Sequence, residues 1–145
     1  VGISCEVHTK SNADGMAKTE EYMNTVKEGL IFTNLVDFDM KFGHRRDVEG
    51  YANALEKFDL DLAKFIEKTG EEDLVLITAD HGNDPTFAGT DHTREYVPLI
   101  AYSKSFKGGA LLEDMNTFAD IGATINNNFN TKMPKYGKSF LSKLK

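Results

Sequence analysis

Three short polar clusters hold most of this chain's capacity to bind a metal: Asp37-Phe38-Asp39 with Gly43-His44, Ala79-Asp80-His81-Gly82, and Thr90-Asp91-His92-Thr93. Each follows a stretch that reads as a strand, and together they contain three of the four histidines. Ligands carried on separate loops at strand ends are how an open α/β sheet assembles a metal or phosphate site, because substrates bind outside the carboxyl edge of the strands. Carboxylate and imidazole donors together suit Zn, Mn or Fe, whereas calcium prefers an all-oxygen shell. Asp39 and His44 lie five positions apart, which an α-helix would splay, so a turn at Gly43 is expected to bring them to one cation. Asp80 and His81 are adjacent and would face opposite sides of a strand, but just past its end both can point at metal.

Each residue also has a plainer explanation. A lone histidine in a polar loop is usually solvated or hydrogen-bonded, and an aspartate at a strand end is often a cap or turn residue. The weight therefore falls on convergence of the five side chains. An EF-hand beginning at Asp37 fails, because Lys41 stands at the third ligand position and Val48 where the closing Glu belongs. Arg45, Arg46 and Arg94 border the clusters as holders of phosphate oxygens or as ion-pair partners of Asp47, Asp84 and Glu95.

The elements that must position these residues follow from periodicity. Residues 13–27 suit a moderately amphipathic helix stopped by Gly29, and the apolar run 30–36 reads as a strand covered on both faces. From Val48 to Phe65 the apolar positions Val48, Tyr51, Leu55, Phe58, Leu62 and Phe65 recur at steps of three and four, giving one helix face. Asp47 is the expected N-cap and Gly70 the terminator, and the run is too short for a coiled coil. Residues 74–79 form the clearest strand. Residues 97–102 form another, with Pro98 at its start or on an edge. A last helix is expected over 117–128, capped by Asn116, with Phe118, Ile121 and Ile125 on its apolar face. The basic tail beyond Pro134 is expected on the surface. Helix followed by strand implies parallel crossovers, so the fold class is α/β with a mostly parallel sheet flanked by helices.

Composition narrows the classes. A chain of 145 residues, 40% apolar and 28% charged, matches one ordinary globular domain able to bury about 68–70% of its unfolded surface. A net charge of -6 argues against nucleic acid or an anionic membrane as partner. The single cysteine, Cys5, permits no intrachain disulfide, and there is neither a 20-residue apolar span nor a secretory n-region, so the cytoplasm is the expected location. Val1 in place of an initiating Met points to a piece of a longer protein.

The segment from Thr33 through Gly43-His44-Arg45-Arg46-Asp47, with Ile77-Thr78-Ala79-Asp80-His81-Gly82-Asn83-Asp84-Pro85 and Gly89-Thr90-Asp91-His92-Thr93-Arg94-Glu95, closely resembles phosphopentomutase, a family of binuclear metalloenzymes in the alkaline phosphatase superfamily. The Asp-His-Gly element marks only the superfamily, and the other two stretches are the specific ones. The resemblance runs along essentially the whole chain but covers only the family's C-terminal portion. It implies that residues 1–145 are the C-terminal part of an alkaline-phosphatase-like core domain, without the N-terminal core segment and the inserted cap domain. It further implies that Asp39, His44 and His92 bind one metal, that Asp80 and His81 bind the other, and that the metal is Mn²⁺. The family's catalytic threonine and an early metal-binding Asp have no counterpart, since Thr33, Thr78, Thr86, Thr90 and Thr93 stand in other contexts. The implied reaction is interconversion of ribose or deoxyribose 1-phosphate and 5-phosphate through a phosphothreonine enzyme, in nucleoside catabolism, with this piece alone inactive. The alternatives are another superfamily member, such as a phosphoglycerate mutase, phosphodiesterase or sulfatase, or a noncatalytic metal-binding or assembly module.

Overall fold

The computed structural model describes residues 2–144. The chain divides into two compact units, one comprising Val1–Thr69 with Thr78–Leu99 and the other Gly70–Ile77 with Ile100–Lys145, where a single core was expected. Few apolar side chains are deeply buried: Phe65 in the first unit, and Ala123 and Phe140 in the second, are the buried hydrophobic residues among those described.

In the first unit, α1 spans Asn12–Met23 and starts at Ser11, whose side chain accepts the Asp14 N–H at 3.2 Å. It stops short of the expected Lys27. Asn24 caps it, and the backbone N–H groups of Thr25 and Val26 both return to the Tyr22 carbonyl, closing the turn before Gly29 is reached. The strand expected over 30–36 does not form, because nothing among the described residues pairs with it. Its exposure alternates all the same, as an extended chain's would: Ile31, Thr33 and Leu35 are half-buried while Leu30, Phe32 and Val36 are exposed. Thr33 and Leu35 lie against Gly15 of α1, and the Thr33 and Thr19 hydroxyls are hydrogen-bonded at 2.6 Å. One face is covered, not two.

A π-helix, Phe38–Gly43, follows, and then α2, Val48–Lys68. Asp47 caps α2 as expected, its Oδ1 accepting the Gly50 N–H at 2.9 Å, and Thr69 ends the helix just before Gly70. Phe38 meets Tyr51 and Phe58 of α2, with ring centroids 5.9 and 6.0 Å apart. This edge-and-tilt packing fixes the π-helix against the longer helix.

Strands β1 (Val75–Thr78) and β2 (Leu99–Tyr102), which belong to the second unit except for Thr78 and Leu99, make a two-stranded antiparallel sheet, and Pro98 directly precedes β2 as its missing N–H requires. The mostly parallel sheet is therefore not seen among the described residues. The chain between β1 and β2 doubles back, and an antiparallel bridge between Gly82 and Thr93 draws its two legs together. Helix α3 spans Ala119–Asn128. Asn116 is not its cap; the Thr117 hydroxyl takes the Ala119 N–H at 3.2 Å. The buried face is Asp120, Ala123 and Thr124, and Phe118 is exposed. The tail explains this reversal. Asp120 Oδ1 accepts the Lys138 N–H at 2.7 Å and Thr124 Oγ1 accepts the Phe140 N–H at 3.0 Å, so polar groups bind the backbone while the Phe140 ring is buried. The tail otherwise lies on the surface as expected, with Phe140 its one buried residue among those described. No described helix is long and apolar enough to cross a membrane.

Candidate metal centre

All five side chains read from the sequence as ligands belong to the first unit. The π-helix carries Asp39, and His44 follows its last residue. The His44 N–H bonds to the Asp39 carbonyl at 3.0 Å, and the Asp47 N–H bonds to the Phe42 carbonyl at 3.0 Å, both with the i→i+5 spacing that widens a helical turn. In an α-helix residues five apart point roughly 140° away from each other. The wider turn puts Asp39 and His44 on the same side, so continuous helix delivers both and the loop expected at Gly43 is not required. Gly43 serves by lacking a side chain: a Cβ there would collide with the Asn83 amide, whose Cγ would lie 2.5 Å away.

His81 and Asp80 follow β1, and His92 sits on the returning leg. Gly82 is needed where the legs meet, since a Cβ would strike the Thr93 carbonyl at 2.7 Å and the Glu95 carboxylate. The Thr93 N–H bonds to the Gly82 carbonyl at 3.0 Å, and the Thr93 hydroxyl takes the Asp84 N–H at 2.7 Å while donating to Glu95 at 2.7 Å. The loop is thus crosslinked at its neck.

The geometry at the centre is tight. His44 Nε2 lies 3.4 Å from Asp39 Oδ2, His92 Nε2 lies 3.4 Å from Asp39 Oδ1, and the two Nε2 atoms are 3.1 Å apart. The His81 ring stacks on His92 with centroids 3.5 Å apart and planes 20° from parallel. Ligand atoms of Asp39, His81 and His92 all lie within 4.8 Å of one another. Asp80 stands apart: its side chain is 81% exposed, and its Oδ2 is 3.6 Å from His81 Nε2.

Proton inventory shows what such a cluster can hold. His44 Nδ1 is 2.6 Å from the Thr90 carbonyl, which only accepts, so Nδ1 carries the hydrogen and, in the neutral ring a metal requires, Nε2 presents its lone pair toward Asp39 and His92. His81 Nδ1 has the same kind of contact with the Gly82 carbonyl at 3.2 Å. Lone pairs and carboxylate oxygens therefore converge on one small region. Donors at about 2.0–2.2 Å from a tetrahedral ion would lie roughly 3.3–3.6 Å apart, close to the separations found. The donor set fits a divalent cation of the Zn or Mn type.

A model of the metalloenzyme superfamily matches residues 1–133. The chain belongs to that superfamily. Membership implies a metal cofactor, agrees with an alkaline-phosphatase-like α/β fold, and suggests metal-dependent phosphotransfer. In this metalloenzyme the residues around the candidate ligands make contacts that their types did not announce. The Arg46 guanidinium is hydrogen-bonded to neutral oxygens, with the Asp84 carboxylate near enough to feel its charge. Its Nη1 donates to Asn83 Oδ1 at 3.0 Å and to the Asp84 carbonyl at 2.8 Å, its Nη2 to the Asp91 carbonyl at 2.7 Å, and its Nε to the Gly89 carbonyl. It does so from a left-handed backbone, φ 55°, a conformation that costs a non-glycine residue about 1–3 kcal/mol. Asn83, only 8% exposed, in turn donates Nδ2–H to Asp39 Oδ1 at 2.6 Å. Arg45 uses Nε on the Met40 carbonyl at 3.4 Å, and Arg94 is exposed.

Asp37 is a structural clamp. Its Oδ2 accepts the Asn12 N–H at 2.9 Å, its own N–H donates to Asn12 Oδ1 at 2.9 Å, and Lys41 Nζ is 2.9 Å from Oδ1. Burial alone would raise this carboxyl, but the Asn12 N–H and the Lys41 ammonium outweigh it and hold the pKa below the ordinary Asp value. Asp84 is likewise lowered, by hydrogen bonds from the Thr86 hydroxyl and N–H. Burial, with the charges of Glu95, Asp39 and Asp84, raises the Tyr51 phenol.

Proposed function

We propose that the chain contributes the metal-bearing face of a phosphopentomutase, which moves a phosphoryl group between the 1 and 5 positions of ribose or deoxyribose. The observation that carries this is the meeting of Asp39, His44, His92 and His81 around shared lone pairs. The specific motifs that hold those residues, and membership of the metalloenzyme superfamily, add to it. In this reading Asp39, His44 and His92 hold one Mn²⁺, and Asp80 and His81 contribute to the second. Such a pair of cations supplies charge stabilisation for both oxygens of an in-line phosphoryl displacement and lowers the pKa of the hydroxyl nucleophile. The chain's own part is orientation. Thr90 and Gly82 carbonyls fix the histidine tautomers, and Asn83 fixes the Asp39 carboxylate. The phosphoryl-carrying threonine comes from outside these residues in this reading, together with whatever binds the sugar.

The test is a substrate panel run on two proteins: the 145-residue chain, and the longer gene product that this reading requires. The longer protein should interconvert ribose 1-phosphate and ribose 5-phosphate with Mn²⁺ and lose that activity on Asp39→Asn, while the chain alone should bind Mn²⁺ without turnover. Preference for a phosphoglycerate, a phosphodiester or a sulfate ester would replace this reading with another superfamily activity, and mutase turnover by the chain alone would refute the external threonine.

A further inference from the structure

We infer that Arg46 and Asn83 form a latch that sets the geometry of the metal centre: Arg46 binds the loop carrying His92 to the helix carrying Asp39 and His44, and Asn83 passes that alignment to the Asp39 carboxylate. The inference rests on the metal reading above for its consequence, and on the hydrogen bonds alone for its mechanism.

Direction in the latch is forced by chemistry. A guanidinium only donates and a carboxylate only accepts, so the Asn83 amide between them has one orientation, Oδ1 toward Arg46 and Nδ2 toward Asp39. With the Nδ2–H on Oδ1, the carboxylate is turned to offer Oδ2 on the side of His44 Nε2, 3.4 Å away. Oδ1 itself faces His92 Nε2 at the same distance, so the amide sets both carboxylate oxygens toward the imidazole nitrogens.

The second arm of the latch is the loop backbone. Three successive carbonyls are captured, Gly89 and Asp91 by Arg46 and Thr90 by His44 Nδ1. His92 is the next residue, so its place is dictated by groups that also belong to the opposite ligand segment. Only a planar fork with donors at Nε, Nη1 and Nη2 reaches these acceptors together, and a lysine ammonium would keep the charge without the fork. Gly43 completes the device by leaving room for the Asn83 amide.

The experiment compares wild type, Arg46→Lys and Gly43→Ala, using the 145-residue chain. Mn²⁺ affinity is read by calorimetry, and hydrogen exchange over residues 84–92 is read in metal-free protein. Arg46→Lys should lower Mn²⁺ affinity about 10–100-fold, the range found when outer partners of ligands are removed. It should also speed exchange in the metal-free loop. Gly43→Ala, which favours helix and leaves Arg46 in place, should lower affinity by displacing Asn83 from Asp39. Wild-type affinity and unchanged loop exchange in Arg46→Lys would overturn the latch, as would wild-type Mn²⁺ affinity in Gly43→Ala. If wild type bound no Mn²⁺ yet Arg46→Lys still loosened the loop, the metal reading would fall and the loop-holding arm would stand.

Discussion

The two ligand groups expected from the sequence, Asp39 with His44 and His92, and Asp80 with His81, are anchored very differently. In the first, each side chain or its carrier is fixed by a named hydrogen bond: Asp39 by Asn83, His44 by the Thr90 carbonyl, and the backbone before His92 by Arg46. In the second, His81 is held by its stacking on His92 and the Gly82 carbonyl, but the Asp80 carboxylate projects into solvent. His81 thereby sides with the first group in space. Rigid donors bind a cation without first paying for their own ordering, so the comparison predicts one strong site and one weak one.

Removing a ligand of the anchored group should have the largest effect. Asp39→Asn, His44→Ala or His92→Ala should each reduce Mn²⁺ affinity by more than about 100-fold, beyond the range of outer-partner losses, as measured by calorimetry. His81→Ala should cost about tenfold, because the stack that orders His92 is lost with the donor. Asp80→Ala should change the tighter site by no more than about fivefold, since an exposed charge contributes at most about 1 kcal/mol. Equal losses at Asp80 and Asp39 would erase the distinction.

The smallest effect concerns the support of the anchored group. Asp37 ties the start of the π-helix to Asn12, so Asp37→Ala should lower stability by about 1–2 kcal/mol at neutral pH, read from denaturant unfolding. The sign with pH follows from its lowered pKa. Its contribution is present above the unfolded value of about 3.9 and is lost as pH falls through the lower folded value, so the wild-type and variant curves should converge in acid. A gap that stayed constant into acid would assign the effect to packing.

What the sequence reveals here depends on whether side-chain type alone states the partner. Helix α2 was legible because three-and-four spacing and an Asp cap follow from helix geometry without tertiary help. The candidate ligands were picked out by type, Asp and His gathered in three polar clusters, although no strand precedes Asp39, which lies in a π-helix. Arg46 was not, because its acceptors are mostly backbone carbonyls, which any residue supplies and no pattern marks. The π-helix was hidden for a similar reason: its i→i+5 bonds join backbone groups, which no residue type marks. In α3 the apolar pattern pointed to Phe118, Ile121 and Ile125, yet the buried face is set by Asp120 and Thr124 binding the tail backbone. The parallel sheet failed as an expectation because strand patterns do not name their partners, and segment 30–36 has none among the described residues.

X-ray absorption at the Mn edge, on the chain loaded with one equivalent of Mn²⁺, tests the central claim most directly. Convergence of Asp39, His44 and His92 predicts imidazole scattering from histidine, diminished in His44→Ala and again in His92→Ala. An all-oxygen shell, or a spectrum indifferent to both substitutions, would contradict it.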